Sequence, residues 1–496
     1  MCGPESFREY VERLEAIGEV QVVDRTVDWR LELGAITRRS YELRAPAPLF
    51  TAIAGAAPGF RALGAPVGLS GRPGRPFARV ATSLGLPPET GGLELVETLA
   101  ALGERPGVPP RLVADGPCRE HVLTGEAVDL ERLPAPLIQP GDGGRYVNTF
   151  GIIVVRTPDG RWTNWSISRQ MILDRRRMTG LLAPHQHLGM IHAEWCERGE
   201  PMPFATVLGV GPAIPFVAGM PLPAEVDEAD VCGAHLGRGV PVVRCETIDL
   251  EVPADAEIVI EGHVTAALAP EGPMGEYTGY GANVPGVPRP VFEVSAITHR
   301  EAPILPVVAS GPPAEENHTV WGLAQAAELL RQLRARGLPV AACWMPPESA
   351  CQLLVVAASP EWSAATGGDR EALARLVGEE VFAARAGFAV PRVALVDGAI
   401  DPTVPGELLW ALCGHCHQVR DVIHFPERPV LSLPVYLDAA EKRAGATTKV
   451  LYNCLPPDGV ADGAATLLTL RDGWPAPLAE RVVADWGRYG YPADAP

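Results

Sequence analysis

Fifty-two glycines and 51 prolines are scattered through a chain of 496 residues, and this limits the fold more than any other feature. Proline ends helices and interrupts strand ladders, and glycine weakens both. The chain is therefore expected to be built mostly from short elements joined by many turns. The longest stretch without a charged residue, Pro201 to Ala224, has six prolines and three glycines. It reads as buried strands and turns, not as a membrane helix, so no membrane partner is expected.

The composition supports packed cores: 47% of residues are hydrophobic and 21% charged, a globular balance that rules out long-range disorder. The length suits two or three domains. Sixty acidic against 42 basic side chains give a formal charge of −18. That disfavours a nucleic-acid partner, because phosphate neutralisation needs clustered Lys and Arg. Only Lys442 and Lys449 are lysines; the other 40 basic residues are arginine. Met1 to Tyr10 has neither a basic nor an apolar leader segment, and ten cysteines show no framework spacing. A cytoplasmic protein with reduced thiols is expected.

Phe7, Val11, Leu14 and Ile17 recur at helical spacing, Gly18 stops that helix, and Val20 to Val23 reads as a strand. Further helices are expected from Asp28, as N-cap, to Arg39 and near Leu93 to Gly103. The proline-rich stretch Arg105 to Pro117 is a candidate boundary. From about Val122 to Val308 the pattern is of strands: Phe150 to Arg156, Phe204 to Val210, Val240 to Cys245, Ile258 to Ile260 and Val291 to His299, with one helix at His187 to Arg198. His318 to Arg336 reads as a single long helix. After Pro339, strands Val340 to Trp344, Leu353 to Ala357 and Val393 to Val396 alternate with helices Asp369 to Ala384 and Gly406 to Leu412, an α/β pattern.

Cys413-Gly-His-Cys416-His417 matches the haem-attachment pattern C-x-x-C-H, but it is a single copy after an apolar helix. Four ligands within five residues cannot surround one tetrahedral ion, so a helix end with incidental thiols is the expectation. His185 and His187 would share a face on a strand; Glu225, Asp227, Glu228 and Asp230 read as an acidic helix start. Glu271-Gly-Pro-Met-Gly-Glu276 places two carboxylates on either side of a turn in an apolar setting, which suits proton donation as well as an exposed turn. Arg161 to Arg169 is an aromatic and polar strand whose Arg169 could pair with Glu271 or Glu276, or bind a substrate carboxylate.

In this order the segments resemble the UbiD family of reversible decarboxylases, which use prenylated FMN, and Arg161 to Arg169 closely resembles the cinnamic/ferulic acid decarboxylase branch. The resemblance runs through Gly180-Leu-Leu-Ala-Pro-His-Gln-His187, Gly219-Met-Pro-Leu-Pro, Glu228, Cys245 to Leu250, Glu271 to Glu276, Trp410-Ala and Lys449 to Cys454. It implies an α/β protein with an N-terminal α/β lobe (1–120), a central split β-barrel flavin-binding domain (121–315), a linking helix (316–338) and a C-terminal α/β dimerisation domain (339–496).

The resemblance also assigns roles. Asn164, His187 and Glu228 match ligands of a divalent metal, Mn2+ or Mg2+, that bridges protein to cofactor phosphate. Trp165 and Met220 match carbonyl donors to K+. Ser166, Ile167, Ser168 and Gln186 line the flavin, and Arg385 stands where the family has a phosphate-contacting lysine. Arg169, Glu271 and Glu276 match the catalytic set, with Glu271 paired to Arg169 and Glu276 cycling as proton carrier.

The reaction so implied is reversible, non-oxidative decarboxylation of an α,β-unsaturated or (hetero)aromatic acid through a covalent adduct with prenylated FMN. A phenolic-acid (de)carboxylase and a non-catalytic flavin- or metal-binding subunit are the alternatives. Expected partners are a small carboxylic acid, a flavin prenyltransferase supplying the cofactor, and a second copy of the chain. Asn317, Trp321, Val430 and Ser432 fall on substrate-facing positions. Their departure from the cinnamate pattern points to a heteroaromatic acid with a ring N–H, or to an unsaturated acid with a second polar group.

Overall fold

The computed structural model describes residues 3–281, 285–456, 468–470 and 473–491. Phe7, Tyr10, Val11 and Leu14 form the buried face of a helix spanning Phe7–Ala16, capped by the Ser6 hydroxyl, which accepts the Glu9 N–H. Val20–Val23 follows and pairs in parallel with Ala47–Phe50, which pairs in turn with Arg61–Gly64. The fourth strand of this sheet, Ile304–Val307, comes from far down the chain and ties the first segment to the end of the central one.

The second helix starts four residues later than expected, at Glu32, and runs to Glu42. Asp28 closes a two-residue strand instead, and its carboxylate accepts the Arg30 N–H. Aspartate closes a local turn as readily as it caps a helix.

Nine strands, antiparallel throughout, make the central sheet. Its path is Thr163–Ser166, Gly151–Arg156, Met202–Leu208, Ile258–Glu271, Val287–His299, Arg177–Gly180, Gln170–Asp174 and Tyr146–Asn148, with His121–Thr124 also on Val287–His299. Both faces are apolar. Ile153, Val155, Phe204, Ile258 and Ile260 enter one core, while Ile152, Val154, Ala205, Val207 and Val259 enter the other. That is the period of two expected of a sheet covered on both sides.

Thr163–Ser166 and Gln170–Asp174 lie six places apart in this order, about 29 Å in a flat sheet at ~4.8 Å per strand. Only Ile167, Ser168 and Arg169 join them, and four Cα–Cα steps reach at most about 14 Å. The sheet must therefore roll into a half-barrel, with the short crossing closing its mouth. Register irregularities in the longest strand pair, at Glu261/Gly262 and Val264/Leu268, help it curl. Gly262 is required there, since a Cβ would lie 1.9 Å from the Glu293 carbonyl oxygen.

The linking segment departs from a uniform α-helix. It opens with a wide π-type turn, Asn317–Trp321, before the helix Gly322–Ala335, whose Leu323, Ala326, Leu330 and Leu333 are buried. The last region is a five-stranded mixed sheet in the order Val340–Trp344, Leu354–Ala358, Arg392–Val396, Ala446–Cys454, Val422–Pro429. The helix Arg370–Ala383, capped by Asp369, packs on it. Among the described residues no helix is long and apolar enough to cross a membrane.

Candidate active site

Arg169 stands on the crossing that closes the half-barrel. Its Nε donates to Glu271 Oε1 at 2.8 Å, Nη2 to Glu271 Oε2 at 3.2 Å, and Nη1 to Glu276 Oε1 at 2.7 Å. Glu271 ends the long strand and is 2% exposed; the buried Tyr146 hydroxyl donates to its Oε1 at 2.8 Å. Burial and the Glu271 charge raise Tyr146 and keep it a donor. Burial works against the charged form of Arg169, but the Glu276 and Glu271 carboxylates outweigh it and hold the guanidinium protonated.

Asp142 fixes the intervening turn: its carboxylate accepts the N–H groups of Gln139 at 2.9 Å and Gly275 at 3.0 Å. The two glutamates are thus unequal. Glu271 accepts three side-chain hydrogen bonds and is committed as an acceptor, whereas Glu276 accepts one and keeps part of its carboxylate free for a proton.

A second group assembles from three elements: Asn164 from the strand Thr163–Ser166, His187 from the first turn of His187–Arg198, and Glu228 from the first turn of Glu228–Leu236. Asn164 Nδ2 donates to Glu228 Oε1 at 2.8 Å, the Trp165 N–H donates to Glu228 Oε2 at 2.9 Å, and His187 Nδ1 lies 3.5 Å from Glu228 Oε1. All three side chains are at most 5% exposed. Oxygen and imidazole donors gathered in an interior point suit a hard divalent cation, once the Asn164 amide presents its oxygen. Among the described residues no three of His, Cys, Asp and Glu are placed to hold a metal ion by themselves; here the third donor is an amide. The two helix N-termini also favour an anionic group such as phosphate. Arg385, from the C-terminal region, meets His187 Nε2 through Nη1, and the buried Trp165 and Met220 belong to the adjoining core.

His185, Gln186 and His187 do not share a strand face. Gln186 is the residue before the helix and His187 its first member, while His185 packs against the Phe388 ring at 5.0 Å. The segment forms a helix because His187, Leu188 and Ile191 bury one face of it. Gln186 is exposed, and Ile167 is half-buried on the crossing. Ser166 donates to Asn164 Oδ1 and Ser168 to the Leu181 carbonyl, both at 2.5 Å.

Asn317 Nδ2 lies 3.1 Å from each oxygen of the Glu315 carboxylate, and Trp321 packs edge-on against Tyr277, next to Glu276, at 5.4 Å. Val430 is buried and Ser432 exposed, and no described hydrogen bond, ion pair or ring contact joins either to the Arg169 cluster. The Cys413 segment ends a helix, as expected. Cys416 donates to the Asp421 carbonyl, His415 bonds to the Cys454 carbonyl, and His417 Nδ1 accepts the N–H groups of Val419 and Arg420. Sequence reasoning did not find Tyr146 or Asp142. Their partners in the Glu271–Glu276 segment are 125 and 133 residues away.

Family models match nearly the whole chain. The N-terminal, Rift-related and C-terminal domains of the UbiD, or 3-octaprenyl-4-hydroxybenzoate, carboxy-lyases match residues 11–99, 111–313 and 318–454. A pyrrole-2-carboxylic acid decarboxylase of Pseudomonas aeruginosa is 43% identical over 487 residues, 98% of each chain. Ferulic acid decarboxylase 1 of Saccharomyces cerevisiae is 35% identical over 495 residues, again 98% of each. Among solved structures, the UbiD-class enzyme HmfF of Pelotomaculum thermopropionicum in complex with FMN superposes with a TM-score of 0.79 at 28% identity, covering 94% of this chain and 97% of that one. An evolved dimeric form of HmfF with prenylated FMN gives 0.75 at 29% identity, covering 92% and 96%.

Proposed function

The chain belongs to the UbiD family of carboxy-lyases, and from that premise we propose that it decarboxylates a heteroaromatic acid bearing a ring N–H, with prenylated FMN as cofactor. The observation that carries the reading is the single guanidinium of Arg169 shared between two carboxylates with unequal numbers of donors.

Prenylated FMN, when bound, supplies the carbon centre that activates the substrate while its carboxylate leaves as CO2. The protein's own part is positional and protonic. Arg169 holds Glu271 as a fixed acceptor and orients Glu276, whose less occupied carboxylate delivers a proton to the carbon that CO2 has left and recovers one for the next cycle. The rolled sheet and its crossing keep bulk water from that carbon until CO2 has departed. Asn164, His187 and Glu228 would hold Mn2+ or Mg2+ against the flavin phosphate, the carbonyls of Trp165 and Met220 would hold K+, and Arg385, Gln186 and Ser166–Ser168 would border the flavin.

For the substrate, the support is Asn317. With both Nδ2 contacts spent on Glu315, its Oδ1 is left as an acceptor for a ring N–H, in keeping with the activity named for the Pseudomonas relative. Trp321 would bound the ring, with Val430 and Ser432 on the opposite wall. A second copy would cover Leu409 and Trp410, 63% and 44% exposed on the helix Pro405–Gly414. The nine free cysteines among the described residues fit a cytoplasmic setting, where a flavin prenyltransferase supplies the cofactor.

The test is anaerobic purification after co-expression with a flavin prenyltransferase, followed by mass spectrometry and CO2 release from pyrrole, indole, furan and acrylic carboxylates. Bound prenylated FMN is expected, with turnover of the N–H acids that Asn317→Ala and Trp321→Ile redirect. An empty or plain-FMN site with no CO2 release, in folded protein given Mn2+, would refute the reading. An unchanged substrate profile in both variants would refute the role of Asn317.

A further inference from the structure

Lys449, one of only two lysines in a chain with 40 arginines, is wholly buried. It lies on the strand Ala446–Cys454, and its Nζ donates to the carbonyls of Gly387 at 2.9 Å and Phe388 at 2.8 Å, with the Phe382 ring centroid 5.4 Å away. These partners belong to the turn that follows the helix Arg370–Ala383. There Gly387 and Phe388 fold back with N–H donations to Ala384 and Arg385. The turn is pressed hard onto its helix: a Cβ on Gly387 would lie 1.7 Å from the Val381 carbonyl oxygen.

Two contacts between this region and the barrel arise from the same turn. Arg385 meets His187, and Phe388 packs on His185, two residues before it. A compact ammonium with three donors can serve two convergent carbonyls and an aromatic face in a sealed space, while the planar fork of arginine is too broad. Cations also suit the C-terminal end of a helix. Burial pulls Lys449 down to about 7, the cost of placing it where nothing but geometry asks for it. Its complete burial leaves a nucleophilic role no path from solvent.

We propose that Lys449 is a positioning residue for the cofactor-phosphate end of the site, fixing the Ala384–Phe388 turn so that Arg385 reaches His187. This rests on the reading of Asn164, His187, Glu228 and Arg385 as the cofactor-anchoring set. It adds a strut in the C-terminal sheet on which the barrel's cofactor site depends.

The test measures FMN affinity of the full-length apoprotein by flavin fluorescence, in Mn2+ and K+, for Lys449→Met, Arg385→Ala and the double variant. Lys449→Met keeps the stem but leaves two buried carbonyls unpaired. Each single change is expected to raise Kd about tenfold, the scale of lost supporting contacts around a metal site. The double variant should bind no more weakly than Arg385→Ala alone. Wild-type affinity in Lys449→Met, or multiplied effects in the double variant, would overturn the proposal, because a general loss of packing would act independently of Arg385. Should Lys449→Met fail to fold, Lys449→Arg decides: a raised Kd supports the compact-ammonium argument and a wild-type Kd overturns it. An unchanged Kd in Arg385→Ala would overturn the cofactor-site reading, and the strut with it.

Discussion

Arg169 and Glu271 face each other through two parallel hydrogen bonds at 2.8 and 3.2 Å, and the Tyr146 hydroxyl adds a third donor to the same carboxylate. Removing the guanidinium would strand a carboxylate that is almost wholly buried. Arg169→Met should therefore lower stability by roughly 3–5 kcal/mol as well as abolish turnover. Tyr146→Phe, which removes one donor, should cost only about 1 kcal/mol and leave measurable CO2 release. Denaturant midpoints and CO2 assays on both variants check the order; equal losses would contradict it.

Glu276→Gln preserves an acceptor for Arg169 Nη1 but cannot exchange a proton. Turnover should fall by about 10²- to 10⁴-fold, with FMN affinity unchanged. Solvent deuterium should no longer enter the product at the wild-type rate. Full turnover in this variant would remove Glu276 from the proton path.

Because Asn164, His187 and Glu228 converge in the interior, chelation and His187→Ala should act alike. Dialysis against EDTA is expected to weaken FMN binding by at least about tenfold, reversibly on adding Mn2+ to the wild type and irreversibly in His187→Ala. Fluorescence titration separates this from unfolding.

Stability should also respond to pH through Glu316, whose carboxylate accepts the Tyr41 hydroxyl and the Val67 N–H. Burial, with the neighbouring Glu315 charge, pushes Glu316 up to about 7. The folded state then binds this proton more tightly than the unfolded one, so its contribution is full below about pH 4.5 and lost as pH rises through 7. Burial pushes His318 down to about 4, an effect of opposite sign shared by both proteins in the comparison. Between pH 5 and 8 the urea midpoint of Glu316→Gln should fall less than that of the wild type. Parallel curves would contradict the assignment.

Where a feature depended on neighbours in the chain, the sequence was readable. Val20–Val23, Val340–Trp344 and His187–Arg198 stand where periodicity put them, and the order of Arg169, Glu271 and Glu276 pointed to a shared site. The failures were local conflicts settled at a distance. Asp28 entered a strand because Ile53–Ala54 was there to pair with it. Tyr146 gains its role only through folding, which sets its hydroxyl on Glu271. Nothing local in the sequence shows the partners of Lys449, whose ammonium serves two carbonyls more than sixty residues away.

The three-residue crossing from Ile167 to Arg169 works as a clasp, and a clasp has a fixed length. One added residue would slacken the roll of the sheet and swing the guanidinium off both glutamates at once, so fold and chemistry would fail together. Length variation is thereby barred from the stretch nearest the reaction. On the proposed reading, new substrate preferences would be written elsewhere, on the π-type turn Asn317–Trp321, where a side chain can change without loosening the barrel.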